Sequence, residues 1–450
     1  MKLSDIRSAL DSLGREPSKS LGQNFLHDRN IAKAIVAAIE PGPGDHLVEI
    51  GPGLGALTEF ALDSGATVTA IEKDGVLAEF LRNRFAGRGL DVVHADALDF
   101  DLRTLWPRQP VKILGNLPYY VSSQLIFHFT SALSPATRCL FLVQREMADR
   151  LRAPAGTGEY GLPTVLLGRR WVMKELRRLR PSVFLPEPNV DSALIEFSRR
   201  PPHDLPDCYP EVFERAARAG FSQRRKQLRK LLEGEFGALD WPRLAKAIGA
   251  DEAVRAEALS LEQWIALANF LAPLPAAQDP DAEIFDVVDE EDRVIDRASR
   301  GEVHARGLPH RATHIFVLNA RGEIFLQCRS LGKDQAPGCW GSSAAGHLDS
   351  GEDYRSAALR ELREELGLTD VTDNDLEPVA VLPPTKENGW EFVQFFRMRR
   401  DGPFHWPASE IETGTFFPSD LIGTWLDRRP MDFSPGFREC WSAAHGKALA

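Results

Sequence analysis

Two parts of the 450-residue chain combine residue types and spacings that suit catalysis. In the first part, residues 49–55 are EIGPGLG, a glycine-rich turn between an apolar run and a helical period. Glycines let the backbone turn tightly and approach a ligand closely. Glu72 could accept hydrogen bonds from ribose hydroxyls, and Asp96 could accept one from an adenine amine. Similar turns occur in NAD, FAD and S-adenosylmethionine sites and in purely structural turns, but the added carboxylates favour an adenosyl ligand.

The four residues that follow the apolar run VKILG indicate what such a ligand could react with: Asn116, Leu117, Pro118 and Tyr119. An exocyclic amine is difficult to methylate because its lone pair is delocalised into the ring. The Asn116 side-chain oxygen and a nearby main-chain carbonyl can accept the amine hydrogens and make the nitrogen more tetrahedral. Pro118 removes an N–H and stiffens the loop, and Tyr119 offers a face for base stacking. The alternative is a proline turn after a strand.

The second part, residues 346–368, is GHLDSGEDYRSAALRELREELGL. Its glutamates Glu361 and Glu365 are four positions apart on one helical face, with Glu364 beside them. Three carboxylates this close would repel one another without a cation, and oxygen ligands suit Mg²⁺ or Mn²⁺. Such a metal can acidify a water for attack on phosphorus, so Glu364 and Glu365 are candidate catalytic residues. Arg360 can orient a carboxylate and pair with Glu352. The alternative is a charged, solvated helix.

Basic residues are concentrated in two segments of the chain. Residues 169–180 contain six basic residues and one acid, and residues 215–230 contain seven basic residues and no acid. The second segment predicts RNA-phosphate contacts by Arg224, Arg225, Lys226 and Arg229. Such contacts would position an RNA, whereas sequence choice would need RNA shape and an unstacked adenine. The alternative is a solvated helix face.

The elements that must position these residues follow from the hydrophobic pattern. Residues 45–99 alternate short apolar runs with helical periods, which predicts a parallel sheet with helices on its faces. Residues 211–272 lack strand signals and indicate helices, one of them over 212–234. From residue 282 onward the pattern is α+β, with a helix over about 352–366. The predicted domains are 1–200, 201–272 and 282–450, with a linker at 273–281.

Composition and charge support two functional parts. The chain is 43% hydrophobic and 26% charged, which excludes a mainly disordered protein. Residues 1–275 carry 35 Lys+Arg against 34 Asp+Glu, whereas residues 276–450 carry 19 against 31. This difference indicates two partners with different electrostatic needs. Five scattered cysteines predict neither disulfides nor a structural zinc site. The sequence shows no signal peptide and no membrane span, so we expect a soluble cytoplasmic protein.

Four motifs resemble the small-subunit rRNA adenine N6,N6-dimethyltransferases: SLGQNFLHD at 20–28, EIGPGLGALT at 49–58, NLPYYVSSQLIFH at 116–128 and VFLPEPNVDSALI at 183–195. The resemblance covers about residues 1–272 and implies dimethylation of two adjacent adenines near the 3′ end of small-subunit rRNA. The implied S-adenosylmethionine contacts are Asn24, Leu26, Gly51, Gly53, Glu72, Asp96 and Asn116. Asn116, Leu117 and Tyr119 would hold the target amine, and Phe184 would stack on the base. Relatives that methylate large-subunit rRNA differ in the glycine turn and the Asn-Pro-Tyr region.

The seven fixed positions of a Nudix box are present: Gly346, Glu352, Arg360, Glu361, Glu364, Glu365 and Gly367. The flanks of this box resemble the Nudix branch that contains isopentenyl-diphosphate isomerase. That family binds metal through histidines, which match His304, His310 and His347 here, and Glu391 is a looser match. Its catalytic cysteine, two residues before the last of these histidines, is Ala345 in this chain. The resemblance therefore implies a Nudix fold, but isomerase activity is in doubt.

We therefore predict a bifunctional enzyme. The expected fold is an α/β Rossmann-like methyltransferase with a small all-helical domain, followed by an α/β/α Nudix fold domain. The expected cofactors are S-adenosylmethionine and Mg²⁺ or Mn²⁺. The expected partners are the immature small ribosomal subunit and a nucleoside diphosphate-linked compound. The alternatives are a ribosome-assembly factor with incidental methylation, a large-subunit rRNA methyltransferase, and an isomerase-like or non-catalytic Nudix module.

Overall fold

The computed structural model describes residues 1–18, 21–201, 204–274, 283–330, 333, 335–407 and 410–445. The chain forms two compact units, one of Met1–Pro206 with Glu211–Leu271 and the other of Asp207–Pro210 with Ala272–Ala450. The residues predicted as a linker, 273–281, lie outside the described ranges from 275 onward, and so does the first residue of the motif at 20–28.

The strands of the first unit are β1 (Phe25–Leu26), β2 (His46–Ile50), β3 (Thr67–Glu72), β4 (Leu90–His94), β5 (Val111–Asn116), β6 (Ala136–Gln144), β7 (Trp171–Leu179), β8 (Phe184–Leu185) and β9 (Ser192–Arg199). Seven of them form one sheet in the order β4-β3-β2-β5-β6-β9-β7, and β1 pairs with β8. The neighbours from β4 to β6 are parallel, as the sequence predicts, whereas β9 is antiparallel to both β6 and β7. The predicted parallel sheet is confirmed, and its antiparallel edge was not foreseen.

The chain order of these strands creates a crevice at one edge of the sheet. The chain passes from β2 to β3 on one side and places β5 on the other side of β2. In such open sheets, ligands bind outside the carboxyl ends of the strands at the point where the strand order reverses. All five residues of β2 are buried, so both faces of the sheet are covered at this strand. The residues at its carboxyl end, which border the crevice, are therefore held in fixed positions.

The helices that cover this sheet are α1 (Leu3–Ser12), α2 (Arg29–Ala38), α3 (Thr58–Asp63), α4 (Gly75–Arg84), α5 (Ser122–Phe129), α6 (Arg145–Leu151) and α7 (Leu162–Gly168). Two of them start at aspartates that cap free backbone donors. The Asp28 side chain accepts from the N–H groups of residues 30 and 31, and Asp74 accepts from those of residues 76 and 77. These caps fix where each helix begins, next to the crevice.

The last part of the first unit is all-helical, as expected, with α8 (Pro210–Phe221), α9 (Leu228–Phe236), α10 (Trp241–Ala247) and α11 (Leu261–Leu271). The prediction of one continuous helix over 212–234 is wrong, because α8 ends at Phe221 and α9 begins at Leu228. The intervening residues 222–227, SQRRKQ, are exposed and have no apolar side chain to bury. Most helical stability in proteins comes from a packed apolar face, so these residues form a turn.

The strands of the second unit are β10 (Ile284–Val288), β11 (Val294–Ser299), β12 (His310–Leu318), β13 (Ile324–Arg329), β14 (Trp340–Gly341), β15 (Ala344–His347), β16 (Glu377–Leu382), β17 (Glu391–Arg399) and β18 (Ile411–Phe417). The main sheet runs β14-β13-β12-β17-β16, with β15 beside β12 and β18 beside β13, while β10 and β11 form a separate pair. Strands β12 and β13 flank a short turn at residues 319–323 but pair at one position, Leu318 with Ile324. Beyond that point β12 pairs with β15 and β17.

Four helices accompany the second sheet: α12 (Arg300–Arg306), α13 (Tyr354–Leu366), α14 (Ser419–Arg428) and α15 (Pro435–His445). Helix α13 packs Leu362 and Leu366 into a cluster with Ile315 of β12. The next side chain of β12, Phe316, contacts Phe437 of α15 at 5.3 Å between ring centroids. Successive side chains of a strand point to opposite faces, so α13 and α15 cover opposite sides of the sheet. The α/β/α arrangement is confirmed. None of the described helices has the length and apolar character needed to cross a bilayer.

Candidate active sites

A cavity of the first unit, called the cofactor cavity below, opens where the carboxyl ends of β2, β3 and β5 meet. The structure brings together at its wall all of the predicted cofactor residues: Asn24, Leu26, Gly51, Gly53, Glu72, Asp96 and Asn116.

The glycine turn forms one wall of the cofactor cavity and is tied to Glu72. Gly51 and Gly53 have φ values of 63° and 58°, in the region that favours glycine. A Cβ on Gly53 would lie 3.0 Å from the Phe25 ring, so this position also needs a small residue. The Glu72 carboxylate accepts the N–H of Gly53 at 3.0 Å and that of Asp74 at 2.9 Å. Burial nevertheless raises the pKa of Glu72 above its ordinary value.

Asp96 supplies a second carboxylate to the cavity wall. It accepts a hydrogen bond from Lys73 at 2.6 Å and another from the N–H of Leu98 at 3.0 Å. The bond from Lys73 is the main reason why the pKa of Asp96 lies below its ordinary value. Asp96 therefore remains charged near neutral pH and can accept a ligand donor.

Asn116 occupies the end of β5 with its side chain in a fixed orientation. Its Nδ2 donates to the main-chain oxygen of Asn24 at 2.8 Å. Because this bond uses the amide nitrogen, the side-chain oxygen is available to accept a hydrogen from a ligand. The bond also joins two residues that are distant in sequence but both border the cavity.

The three residues after Asn116 differ in their access to the cavity. Pro118 borders it, whereas Leu117 is 1% exposed and is held by its N–H bonding to the Leu142 carbonyl at 3.1 Å. The Tyr119 hydroxyl shares a hydrogen bond of 2.8 Å with the hydroxyl of Ser192. Burial raises the pKa of Tyr119. The Tyr119 ring is thus fixed at its hydroxyl end and half-buried.

The structure does not bring Phe184 to the cavity. Its side chain is 1% exposed and packs in the core with Leu26, Leu140 and Leu194. The phenyl ring is apolar and covers its β1 partner Leu26, so the core holds it inward. Stacking of Phe184 on an adenine therefore requires this ring to leave the core when RNA binds.

One cavity residue, Glu49, is the first residue of the glycine-rich motif, but the sequence analysis assigned it no role. It is 1% exposed, lies on β2 before the glycine turn and borders the cavity. Its carboxyl accepts the Thr58 hydroxyl at 2.6 Å, and burial raises its pKa to about 7. An acid within the otherwise apolar strand HLVEI was the available signal.

The predicted RNA contacts Arg224, Arg225 and Lys226 lie in the exposed turn between α8 and α9, and Arg229 lies on α9. The absence of acids within this segment does not make it free of ion pairs. Carboxylates from elsewhere in the unit pair with four of its arginines: Arg215 with Glu235, Arg218 with Glu214, Arg224 with Glu257 and Arg229 with Glu233. In the part of the unit that the structure describes, no carboxylate pairs with Arg225, Lys226 or Lys230.

In the second unit, α13 turns two of the predicted metal ligands inward and one outward. Glu361 and Glu365 are 8% and 6% exposed, whereas the Glu364 side chain is 59% exposed. Arg360 donates to Glu361 at 2.7 Å and to Glu352 at 3.0 Å, and it also reaches Glu364 at 3.2 Å. Burial is the main reason why the pKa values of Glu361 and Glu365 are raised; repulsion by Glu365 adds to it at Glu361, and repulsion by Glu410 adds to it at Glu365.

Strand β15 lies directly against these carboxylates. A Cβ on Gly346 would clash with the Glu361 carboxylate, which explains the first glycine of the box. Glu365 accepts the N–H of Ala345 and the side-chain amide of Gln327, each at 3.0 Å. Gln327 was missed by the sequence analysis, as were Lys333 and Glu410, an ion pair whose charges both act on Glu365.

The predicted histidines form a cluster in which one ligand atom of each lies within 4.8 Å of the others: His304, His310 and His347. His310 donates its Nδ1–H to the Leu308 carbonyl at 2.9 Å, and its buried Nε2 has no hydrogen-bond partner among the described residues. Burial lowers the pKa of His310 to about 4, so its ring is neutral. His347 bonds to Glu391 at 3.1 Å, which supports the looser match of Glu391 to a metal-site residue.

The structure does not bring the histidines and the α13 glutamates into one group. Within β15 the side chain of His347 points to the face opposite that of Gly346, toward which Glu361 lies. Ala345 shares the face of His347. The predicted metal ligands therefore divide into a glutamate group and a histidine group on opposite sides of β15.

Comparisons with known proteins cover both units. Residues 15–273 match the family model described as ribosomal RNA adenine dimethylase, and residues 308–432 match the NUDIX domain. The chain is 41% identical over 260 residues to the ribosomal RNA small subunit methyltransferase A of Methylococcus capsulatus, covering 57% of this chain and 98% of the relative. It is 38% identical over 271 residues to the protein of the same name from Burkholderia lata, covering 59% and 97%. A solved dimethyladenosine transferase from Plasmodium falciparum is 21% identical, covers 54% of this chain and 95% of its own, and gives a TM-score of 0.46.

We predict that Glu49 makes the stability of the first unit depend on pH. Its folded pKa of about 7 lies above the ordinary value, so its protonated form stabilises the fold at low pH and this contribution is lost as pH rises through 7. Between pH 5 and pH 8 the loss is of the order of 3 kcal/mol. Urea denaturation of the Glu49→Gln variant at both pH values should show a smaller fall in unfolding free energy than the wild type.

The matched control is Glu79→Gln, which removes an exposed glutamate paired with Arg82 in the same unit. It should keep the wild-type dependence on pH. Equal pH dependence in the Glu49→Gln variant and the wild type would contradict the role of the buried carboxyl.

Proposed function

Because the chain belongs to the ribosomal RNA adenine dimethylase family, we propose that its first unit transfers methyl groups from S-adenosylmethionine to N6 of two adjacent adenines near the 3′ end of small-subunit rRNA. The observation that carries this proposal is the fixed orientation of Asn116. Its amide nitrogen is held by Asn24 while its oxygen remains an acceptor at the wall of the cofactor cavity.

The residues around the cofactor cavity fit S-adenosylmethionine. The cofactor is cationic at its sulfonium, and three carboxylates border the cavity, those of Glu49, Glu72 and Asp96. Glu72 is fixed by two backbone donors and can accept ribose hydroxyls, and Asp96 can accept the adenine amine. The bound cofactor would supply the methyl group for the reaction.

The protein's contribution to methyl transfer is orientation of the target amine. The Asn116 oxygen and the main-chain carbonyl of Leu117 would accept its two hydrogens, leaving the lone pair directed at the methyl donor. We assign no general base to this step, so placement and exclusion of water would supply most of the rate enhancement. Tyr119 would contact the base, and Phe184 would do so only if its ring left the core. Two methylations require the adenine to stay or to bind again.

The expected RNA partner is the immature small ribosomal subunit. Among the described residues of the first unit, no carboxylate pairs with Arg225, Lys226 or Lys230, which lie in and beside the turn between α8 and α9. We propose that these residues contact phosphates first. Arg224 and Arg229 already pair with Glu257 and Glu233, which offset part of their positive charge.

For the second unit we propose metal-dependent hydrolysis of a nucleoside diphosphate-linked compound. Glu361 and Glu365 are buried side by side, and Arg360 pairs with Glu361. A divalent cation would offset the remaining negative charge, and carboxylate oxygens are ligands that Mg²⁺ and Mn²⁺ prefer. A bound metal would polarise the diphosphate and acidify a water. Arg360 holds Glu361 and Glu364 in place, and Gln327 orients Glu365. The exposed Glu364 can turn toward a substrate.

The histidine cluster is a second candidate metal site, distinct from the glutamates. His310 offers a neutral, buried and unpartnered Nε2, and His347 is oriented by Glu391. Ala345 occupies the same face of β15 but carries no proton donor or acceptor, so it cannot take the part that the catalytic cysteine takes at this position in the isomerase family.

We expect the Asn116→Ala variant to lower methyl transfer to unmethylated small subunits by about 100-fold or more, the scale for loss of a positioned polar group. The assay is transfer of labelled methyl from S-adenosylmethionine, measured in single turnover. The control variant Asn83→Ala removes an exposed asparagine of α4 that bonds to Glu79, and it should be as active as the wild type. Near-normal dimethylation by the Asn116→Ala variant would contradict the role assigned to Asn116 in holding the target amine.

We expect RNA binding to depend more on the unpaired basic residues than on the paired ones. Replacing Arg225, Lys226 and Lys230 with alanine should flatten the salt dependence of binding by up to about one unit of slope per lost phosphate contact. A control variant with alanine at Arg215, Arg218 and Arg229 removes the same charge but only ion-paired arginines. If both variants change the slope equally, the distinction between paired and unpaired residues has no bearing on RNA.

We expect the full-length protein to cleave at least one compound in a panel of nucleoside diphosphate sugars and dinucleoside diphosphates when Mg²⁺ or Mn²⁺ is present. The double variant Glu364→Gln with Glu365→Gln should abolish cleavage. The Glu377→Gln variant, which removes an exposed glutamate paired with Arg397, should not. Isopentenyl diphosphate should remain unchanged, and its isomerisation at a rate typical of enzymes would overturn the argument from Ala345.

A further inference from the structure

Tyr120 is unusual among the aromatic residues of the first unit. Within the described residues of that unit, it is the one aromatic side chain that is largely exposed, at 59%. It also borders the cofactor cavity. Exposing an apolar ring to water at the mouth of a ligand cavity is unfavourable. A ligand that covers the ring removes this unfavourable contact with water and therefore binds more tightly.

Tyr120 and its neighbour Tyr119 lie in one tight turn but point in different directions. The N–H of Val121 donates to the carbonyl of Pro118 at 3.2 Å, which makes the two tyrosines the central residues of the turn. Tyr119 extends to Ser192 and is half-buried, whereas Tyr120 extends outward to the cavity mouth. The two rings therefore have different surroundings and different possible ligands.

The Tyr120 ring is held in place by a loop that also borders the cavity. A Cβ on Gly22 would lie 3.3 Å from Cδ1 of Tyr120 and 3.3 Å from Cβ of Pro118, so the ring edge rests against the Gly22 backbone. The same loop orients Asn116 through the carbonyl of Asn24. Loop and turn thus close together over one side of the cavity.

We propose that Tyr120 is a positioning residue for the cofactor, whose ring closes the outer side of the cavity and packs against the adenosyl group of S-adenosylmethionine. This inference rests on the proposal that S-adenosylmethionine binds in this cavity. Lys73 and Asp96, which form an ion pair of 2.6 Å, border the same cavity at the end where an adenine amine would bind. Tyr120 borders the cavity together with these two residues.

The adenosyl group is common to the cofactor and to the product that remains after methyl transfer. A ring that packs on it would hold both ligands, so it would also slow the exchange of product for fresh cofactor between the two methylations. Tyr120 would therefore affect cofactor affinity and turnover without touching the target amine.

The test is calorimetric titration of the full-length protein with S-adenosylmethionine and with S-adenosylhomocysteine, in the absence of RNA. Tyr120→Ala should raise the Kd for both ligands by about tenfold, the lower range for loss of one stacking contact. Tyr120→Phe, which keeps the ring, should stay within about twofold of the wild type, and Tyr120→Leu should resemble Tyr120→Ala. Because the ring is exposed, the thermal unfolding midpoint should hardly change in any of them.

The matched control is Val172→Ala, which removes an exposed apolar side chain of β7 that does not border the cavity, and it should bind both ligands like the wild type. Unchanged cofactor Kd in Tyr120→Ala together with a raised KM for small subunits would show that the ring contacts RNA and would overturn the inference. If the wild type binds both ligands tightly and Tyr120→Ala does too, the inference alone is lost. If the wild type binds neither ligand, the proposed methyl transfer is lost with it.

Discussion

Both units keep carboxylates away from water at the place where a ligand is proposed to bind, and much of the surrounding architecture follows from this electrostatic constraint. A buried carboxylate costs several kcal/mol unless it is hydrogen-bonded or neutralised. In the first unit, Glu72 is satisfied by backbone N–H groups that the glycine turn and the start of α4 present to it. In the second unit, Glu365 is satisfied by β15 and by Gln327. These hydrogen bonds do not neutralise the negative charge of the carboxylates. A sulfonium in the first unit or a divalent cation in the second unit could balance it.

Much of the fold and of both sites could be predicted from the sequence because those features are local. Strands β2 and β5 coincide with the apolar runs HLVEI and VKILGN, and α13 follows from one uninterrupted helical pattern. The cavity residues Glu72, Asp96 and Asn116 stand at strand ends, and parallel strands bring their carboxyl ends to one edge. Chain order and strand type together were sufficient to place them near one another.

The features that could not be predicted depend on contacts between distant segments. The partners of Arg215 and Arg224 are Glu235 and Glu257, which no charge count within residues 215–230 can reveal. Gln327 enters the second site from another strand, and nothing in its neighbourhood marks it. The burial of Phe184 follows from its pairing opposite Leu26, a register that links segments far apart in the chain. Hydrophobic periodicity carries no information about such pairings.

The ion pairs of α8 and α9 have a consequence for selection among nucleic acids. Arginines that already pair with carboxylates present less net positive charge to a nearby polyanion than unpaired basic residues do. A nucleic acid that contacts only the sides of these helices gains little binding free energy. One whose shape reaches the turn between α8 and α9 meets positive charge that no carboxylate neutralises among the described residues. This charge distribution would weaken non-specific binding to other folded RNA in the cell. It would favour an RNA whose shape lets its phosphates reach the turn between the two helices.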